Sequence, residues 1–151
     1  MSDSPYNLTD WNTRGVGKFP GHVGIVFTQV SPTEVLGELA VQSIHMAPNG
    51  FLHAGSIVTL ADTACGYGCF ANLPADATGF TTIELKSNHL GTAREGTILA
   101  RATPVHLGKT TQLWDAVVTH KETGRTLAMF RCTQLVLYYR APGSSARSSA
   151  G

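Results

Sequence analysis

The sequence predicts an α+β fold in which an antiparallel sheet of about six strands wraps round one long central helix. Three observations carry this. Residues from about Ala54 to Ala71 are helical in length and apolar almost all round, the pattern of a helix enclosed by other structure. Six further segments read as strands, joined by short turn-like connections. Their order is β-β-α-β-β-β-β, and one sheet closed over the single helix buries both economically.

The size agrees. A chain of 151 residues suits one domain, and folding at this length buries roughly two-thirds of the unfolded surface, so no staples are needed. Residues 1–20 contain Pro5, Gly15, Gly17 and Pro20 and are expected to be irregular, or at most one short helix. The domain is expected over 21–140, and 141–151 reads as a disordered Ser, Gly and Ala tail. A hairpin opens the domain: Gly24 to Val30, a turn at Ser31, Pro32 and Thr33, then Val35 to Ser43. In the second arm Val35, Gly37, Leu39 and Val41 alternate with Leu36, Glu38, Ala40 and Gln42, a half-buried strand. Ala47-Pro48-Asn49-Gly50 breaks the chain before the helix, and Leu73 to Gly79 forms a loop after it. The remaining strands are Phe80 to Leu90, Thr97 to His106, Thr110 to Lys121 and Arg125 to Tyr139. Turn sequences at 92–96, 107–109 and 122–124 separate the last four.

Composition narrows the function. The net charge of +1 offers no footprint for nucleic acid or for an acidic membrane surface. Charged residues are 14% of the chain, against about 25% in typical soluble domains, as expected if some surface is buried against other subunits. The first residues have neither the basic start nor the apolar run of an export signal, and no stretch has the length of a membrane span. A cytoplasmic protein is expected. Cys65, Cys69 and Cys132 have no disulfide-framework or zinc-ribbon spacing and read as buried hydrophobes in a reducing compartment. No metal site is expected.

Between Leu39 and Ala75 the only formal charge is Asp62, in the middle of the apolar helix. A lone enclosed carboxylate is costly, so it is paired, neutralised or functional. Gly55, Thr59, Gly66 and Cys69 lie three or four residues apart on its face, all small, so something approaches the helix closely there. One reading is structural: a strand or helix packs on the seam and Asp62 caps a backbone amide. The other is chemical. The amides of the helix's first turn, following Leu52, His53, Ala54 and Gly55, have no partners within the helix and can hold a developing oxyanion. Eight residues separate Ala54 from Asp62, about 12 Å of helix. A thioester carbonyl held at one end is then out of reach of the acid, so donor and acid are expected from different subunits of a dimer.

The run from His53 to Ala64, HAGSIVTLADTA, is similar to the His-Gly-Gly … Leu-x-Asp-x-Ala signature of hotdog-fold acyl-CoA thioesterases of the phenylacetate-degradation type. The strand segments from Thr81 to Lys86 and from Val105 to Thr110 also resemble that family, and the likeness spans about residues 20–139. The resemblance implies an acyl-CoA substrate, aromatic or medium-chain, hydrolysed without cofactor or metal by a homodimer that shares its sites and assembles as a homotetramer. It implies Asp62 as nucleophile or general base. The Ala54 amide, with Gly55 behind it, would polarise the carbonyl. His53 either orients the loop or caps the helix. Thr82 matches a hydroxyl that positions water, though it equally suits an ordinary strand position. The family often has Asn or Gln six residues before the His; here that position is Ala47, and Asn49 is the nearest replacement. Lys86, His89, Arg94 and Lys109 are the cations offered to the coenzyme A phosphates, and each also suits a solvated surface. Two other functions fit a fold of this kind: an acyl-thioester dehydratase or hydratase, and a non-catalytic acyl-CoA-binding protein.

Overall fold

A computed structural model describes residues 6–139. The expected tail at 141–151 lies outside them. Two short helices, α1 (Leu8–Thr13) and α2 (Phe19–Val23), precede the hairpin of β1 (Ile25–Val30) and β2 (Val35–Ala40). A 3-10 turn over Ser43–His45 leads to the long helix α3 (Ala54–Ala71). Four strands follow: β3 (Gly79–His89), β4 (Thr97–Leu107), β5 (Thr111–His120) and β6 (Thr126–Leu137). The six strands form one antiparallel sheet in the order β1-β2-β4-β5-β6-β3.

The sheet curls round α3, which touches all six strands. Ile57, Leu60, Ala61, Ala64, Cys65 and Cys69 of the helix are buried against Leu39, Ile98, Trp114, Val118 and Leu127 of the sheet. Glycines let the sheet come this close. A methyl group on Gly68 would stand 2.5 Å from the Trp114 ring, and one on Gly66 would stand 3.4 Å from the Phe80 ring. The close approach expected at the Gly66 end of the Asp62 face is therefore made by the chain's own β3.

Three local expectations are corrected. The stretch over 1–20, expected irregular or with at most one short helix, holds α1, and a second helix, α2, begins in its last two residues. Asn7 accepts from the Thr9 amide to cap α1, and Gly24, in the left-handed region at φ 88°, ends α2. Trp11 is only 4% exposed, so this stretch packs into the core. Second, β2 ends at Ala40 rather than Ser43. The Gln42 amide donates to His45 Nδ1 at 2.9 Å, drawing the chain into the 3-10 turn. Third, β6 ends at Leu137 instead of reaching Tyr139.

The two sheet edges differ. On β1 the Asn12 side chain donates to the Phe27 carbonyl at 2.9 Å and accepts the Phe27 amide at 2.8 Å, occupying the edge at that residue as another strand would. On β3 the outer edge has no neighbour among the described residues. There Ile83, extra in the register with β6, is 56% exposed, and Leu85 is 45% exposed.

Candidate active site

The loop before α3 is built to present the helix N-terminus. The Ala47 amide donates to the Phe51 carbonyl at 2.7 Å and the Gly50 amide to the Ala47 carbonyl at 2.9 Å. Gly50 has φ 80°, a conformation that side chains disfavour. The His53 amide then donates to the His45 carbonyl at 2.9 Å, which also accepts the Ser56 hydroxyl at 2.8 Å. The loop is thus tied to the turn that follows β2.

His53 is the N-cap of α3. Its Nδ1 accepts the Gly55 amide at 2.8 Å, so the neutral ring carries its proton on Nε2. A methyl group on Gly55 would lie 2.9 Å from that Nδ1, so a glycine here lets the ring sit over the first turn. The two first-turn amides therefore differ. The Gly55 N–H is committed to His53, whereas the Ala54 N–H has no acceptor among the described residues.

Asp62 sits two turns on, half-buried. Its nearest helical hydroxyls are engaged elsewhere: Thr59 donates to the Gly55 carbonyl at 2.7 Å and Thr63 to the Thr59 carbonyl at 2.6 Å. One carboxylate oxygen, Oδ1, is buried without a hydrogen-bond partner among the described residues. Burial raises its pKa, because the charged form loses water without gaining a donor. The structural reading in which Asp62 caps an amide of its own chain finds no such bond. Asp62 is thus a half-buried carboxylate of raised pKa, with one oxygen lacking a hydrogen-bond partner among the described residues. On one straight helix it stays about 12 Å from the Ala54 amide.

The other expected residues fall in different places. Asn49 is exposed, and its Oδ1 accepts the Phe51 amide at 3.2 Å, so it stiffens the loop. Thr82 donates to Gln134 Oε1 at 2.8 Å, and Gln134, fully buried, donates to Cys132 Sγ at 3.3 Å. Sequence reasoning missed Gln134. Its signal is a polar residue in the inward register of Phe130, Cys132 and Val136 on β6. It also missed His45, which is buried and joins the site loop to α2 by donating from Nε2 to the Val23 carbonyl at 2.7 Å.

The four expected cations do not form one cluster. Arg94 lies over the Phe51 ring of the site loop, 4.6 Å from its centre. Lys86 pairs in register with Arg131 on the sheet, and His89 ends β3. Lys109 lies 3.9 Å from Asp76, beyond the other end of α3, where Gln112 contacts the Asn72 carbonyl. Two of the thiols are poor nucleophiles. A hydrogen bond with Cys132, then burial, raises Cys65 well above its usual value, and burial pushes Cys69 up to about 12. Among the described residues no group of three His, Cys, Asp or Glu side chains could hold a metal ion, and no helix is long and apolar enough to cross a membrane.

A concavity of about 750 Å³ between α1 and β1 includes no α3 residue. A smaller one of about 330 Å³ opens beside His53 and Gly55, at the helix start.

The chain is similar to known proteins. Residues 49–130, which include the loop, the helix and most of the sheet, match the family model described as thioesterase superfamily. A 1,4-dihydroxy-2-naphthoyl-CoA hydrolase of Listeria monocytogenes is 33% identical over 111 residues, 74% of this chain and 89% of the relative. An enzyme of the same name from Escherichia coli is 30% identical, covering 83% of this chain and 91% of the relative. The solved thioesterase HI1161 of Haemophilus influenzae superposes with a TM-score of 0.85 at 25% identity, covering 93% of this chain and 96% of that one.

Proposed function

Since this chain belongs to the thioesterase superfamily and is a thioester hydrolase, we propose that its substrate is an aromatic or medium-chain acyl-CoA, hydrolysed to the free acid and coenzyme A. The observation that carries the proposal is the pairing of an unclaimed Ala54 N–H with an Asp62 carboxylate oxygen that is buried and unpartnered. The aromatic arm draws further support from the relatives whose names specify a naphthoyl-CoA substrate.

The thioester oxygen accepts the Ala54 N–H, reinforced by the positive end of the α3 dipole, and its carbon becomes electrophilic. Asp62 then acts in one of two ways. As nucleophile it forms a mixed anhydride, expels the thiolate, and is regenerated when water cleaves the anhydride. As general base it takes a proton from water as the hydroxide adds to the carbon and the C–S bond breaks. Both routes add one water across the C–S bond, and the proton ends on the thiol. No cofactor is needed. Thr82, with its hydrogen held by Gln134, keeps oxygen lone pairs to orient that water. Arg94, beside the site loop, is the cation best placed for a coenzyme A phosphate.

The acid and the donor that meet at one substrate come from two copies of the chain. The sheet edges support this. Asn12 occupies the β1 edge at Phe27, while the β3 edge is open and carries exposed Ile83 and Leu85, ready to pair with a second β3. The outer sheet face, with exposed Val117 and Met129, would join two such dimers as a tetramer. The buried, unpaired thiols suit a reducing cytoplasm.

The test is release of free thiol from a panel of acyl-CoA substrates. Wild type should hydrolyse aromatic or medium-chain members, and Asp62→Asn should stay folded and lose turnover by ~10²-fold or more. Near-native hydrolysis by that variant would remove Asp62 from the chemistry. Tight acyl-CoA binding with no thiol release would point to a binding protein, and hydration of an enoyl-CoA without free thiol to a hydratase.

A further inference from the structure

The cavity of about 330 Å³ at the start of α3 has a specific make-up. Phe19 and Val23 of α2 form one wall, Ile44 and Met46 another, and Gly55 and Thr59 of α3 the floor. It touches the residues on both sides of Ala54, whose N–H is the proposed carbonyl anchor. A carbonyl bound there has its substituent beside this space.

The lining has no charged residue, and its polar side chains are turned to the protein itself. The Ser56 hydroxyl donates to the His45 carbonyl at 2.8 Å, and the Thr59 hydroxyl to the Gly55 carbonyl at 2.7 Å. His45 donates to the Val23 carbonyl and accepts the Gln42 amide. His53, exposed at the rim, keeps only its Nε2–H. Inside, apolar surface is on offer and side-chain donors are not. A charged group entering it would lose its water without gaining a counter-ion. Phe19 and Ile44 are 62% and 67% exposed, large apolar side chains with little to cover them in the chain by itself.

We infer that this cavity is the acyl pocket, that it takes an uncharged apolar acyl group, and that Phe19 and Ile44 set the size it accepts. At about 30 Å³ per small heavy-atom unit, the volume of liquid water, it holds on the order of ten non-hydrogen atoms. A single aryl ring with a short linker and an eight-carbon chain both match. The inference rests on the thioesterase reading of Ala54. It goes further by assigning specificity to α2, which is fastened over the site through His45 to Val23.

The experiment compares kcat/KM for acetyl-, octanoyl-, phenylacetyl- and suberyl-CoA (octanoyl with a terminal carboxylate) in wild type, Ile44→Trp and Phe19→Ala. Wild type should hydrolyse suberyl-CoA at least ~10²-fold less well than octanoyl-CoA. Ile44→Trp, which fills the pocket, should lower kcat/KM for octanoyl- and phenylacetyl-CoA by about tenfold or more relative to its effect on acetyl-CoA. Phe19→Ala, which opens a wall, should reduce the same two substrates selectively. Octanoyl-CoA against phenylacetyl-CoA separates chain from ring. Circular dichroism melting checks that both surface variants fold, and either one suffices. Equal effects on acetyl- and octanoyl-CoA, or ready hydrolysis of suberyl-CoA, overturn the pocket while wild-type thiol release leaves the thioesterase reading standing. No thiol release from any acyl-CoA by wild type overturns both.

Discussion

Mixing two inactive variants tests the shared site most sharply. Ala54→Pro deletes the amide hydrogen that holds the carbonyl, and Asp62→Asn deletes the carboxylate. The proline should be tolerated, because Ala54 is the first helical residue, its N–H has no acceptor in the helix, and His53 is extended at φ −65° and ψ 134°, as a residue before proline prefers. Each variant is expected to lose activity separately, by ~10²–10³-fold for the missing oxyanion donor and ~10²-fold or more for the missing acid. The two groups are about 12 Å apart along one rigid helix, too far for one thioester carbonyl to reach both. If each site takes Ala54 from one copy and Asp62 from the other, a mixed dimer contains one intact site and one doubly defective site. Random exchange of equal amounts gives about half mixed dimers, so activity per site should recover to about one quarter of wild type. The variants are unfolded together, refolded, and assayed for thiol release against each refolded alone. Recovery no greater than the sum of the two separate activities refutes the shared site.

Three further outcomes follow from the same geometry. Burial raises the Asp62 pKa in the folded chain, so the native state binds the proton more tightly than the unfolded state, and stability falls as pH rises from the unfolded value through the folded one. Asp62→Asn should therefore melt above wild type at pH 7, with the gap closing below about pH 4, where both states hold the proton; wild-type kcat/KM should fall as pH drops through the raised value, and a variant no more stable than wild type at pH 7 contradicts the burial argument. Gly68→Ala sets a methyl group 2.5 Å from the Trp114 ring, which is itself pinned by its Nε1–H donating to Gln112 at 2.9 Å. Overpacking of about 3 kcal/mol less the helix gain of about 1 kcal/mol leaves a net cost of about 2 kcal/mol, or roughly 6 °C in Tm by calorimetry. Cys65→Ala should keep kcat within about twofold in the thiol-release assay, since the raised thiol is not the nucleophile.

The helix was legible to the residue. Ala54 to Ala71 is bounded by an Asn-Gly turn and a Pro-containing loop, and its all-round apolarity is a local property. The six strands were legible because alternation and turn residues are local too. The N-terminal helices were harder to see, because six and five residues are too few to show a helical period and Pro20 and Gly21 lie inside the second. Within the site, Asp62 stood out as one acid in a long uncharged stretch. Gln134 and His45 did not, because what marks them is burial and long-range hydrogen bonding, and both depend on which strands become neighbours.

The sequence by itself determined the elements, their order and the isolation of one carboxylate on an enclosed helix, since periodicity, turn chemistry and charge spacing act over a few residues. The structure shows which first-turn amide stays unclaimed, since the His53 ring, a local cap, takes the Gly55 amide and leaves that of Ala54. Only the tertiary structure decided that Asp62 keeps an oxygen buried without a donor, that Asn12 occupies one sheet edge at Phe27 while β3 leaves the other open, and that α2 walls a cavity at the helix start. The sheet edge held by Asn12 and the cavity walled by α2 join residues far apart in the chain. Their contacts exist only after the sheet has closed on the helix, so no local pattern records them.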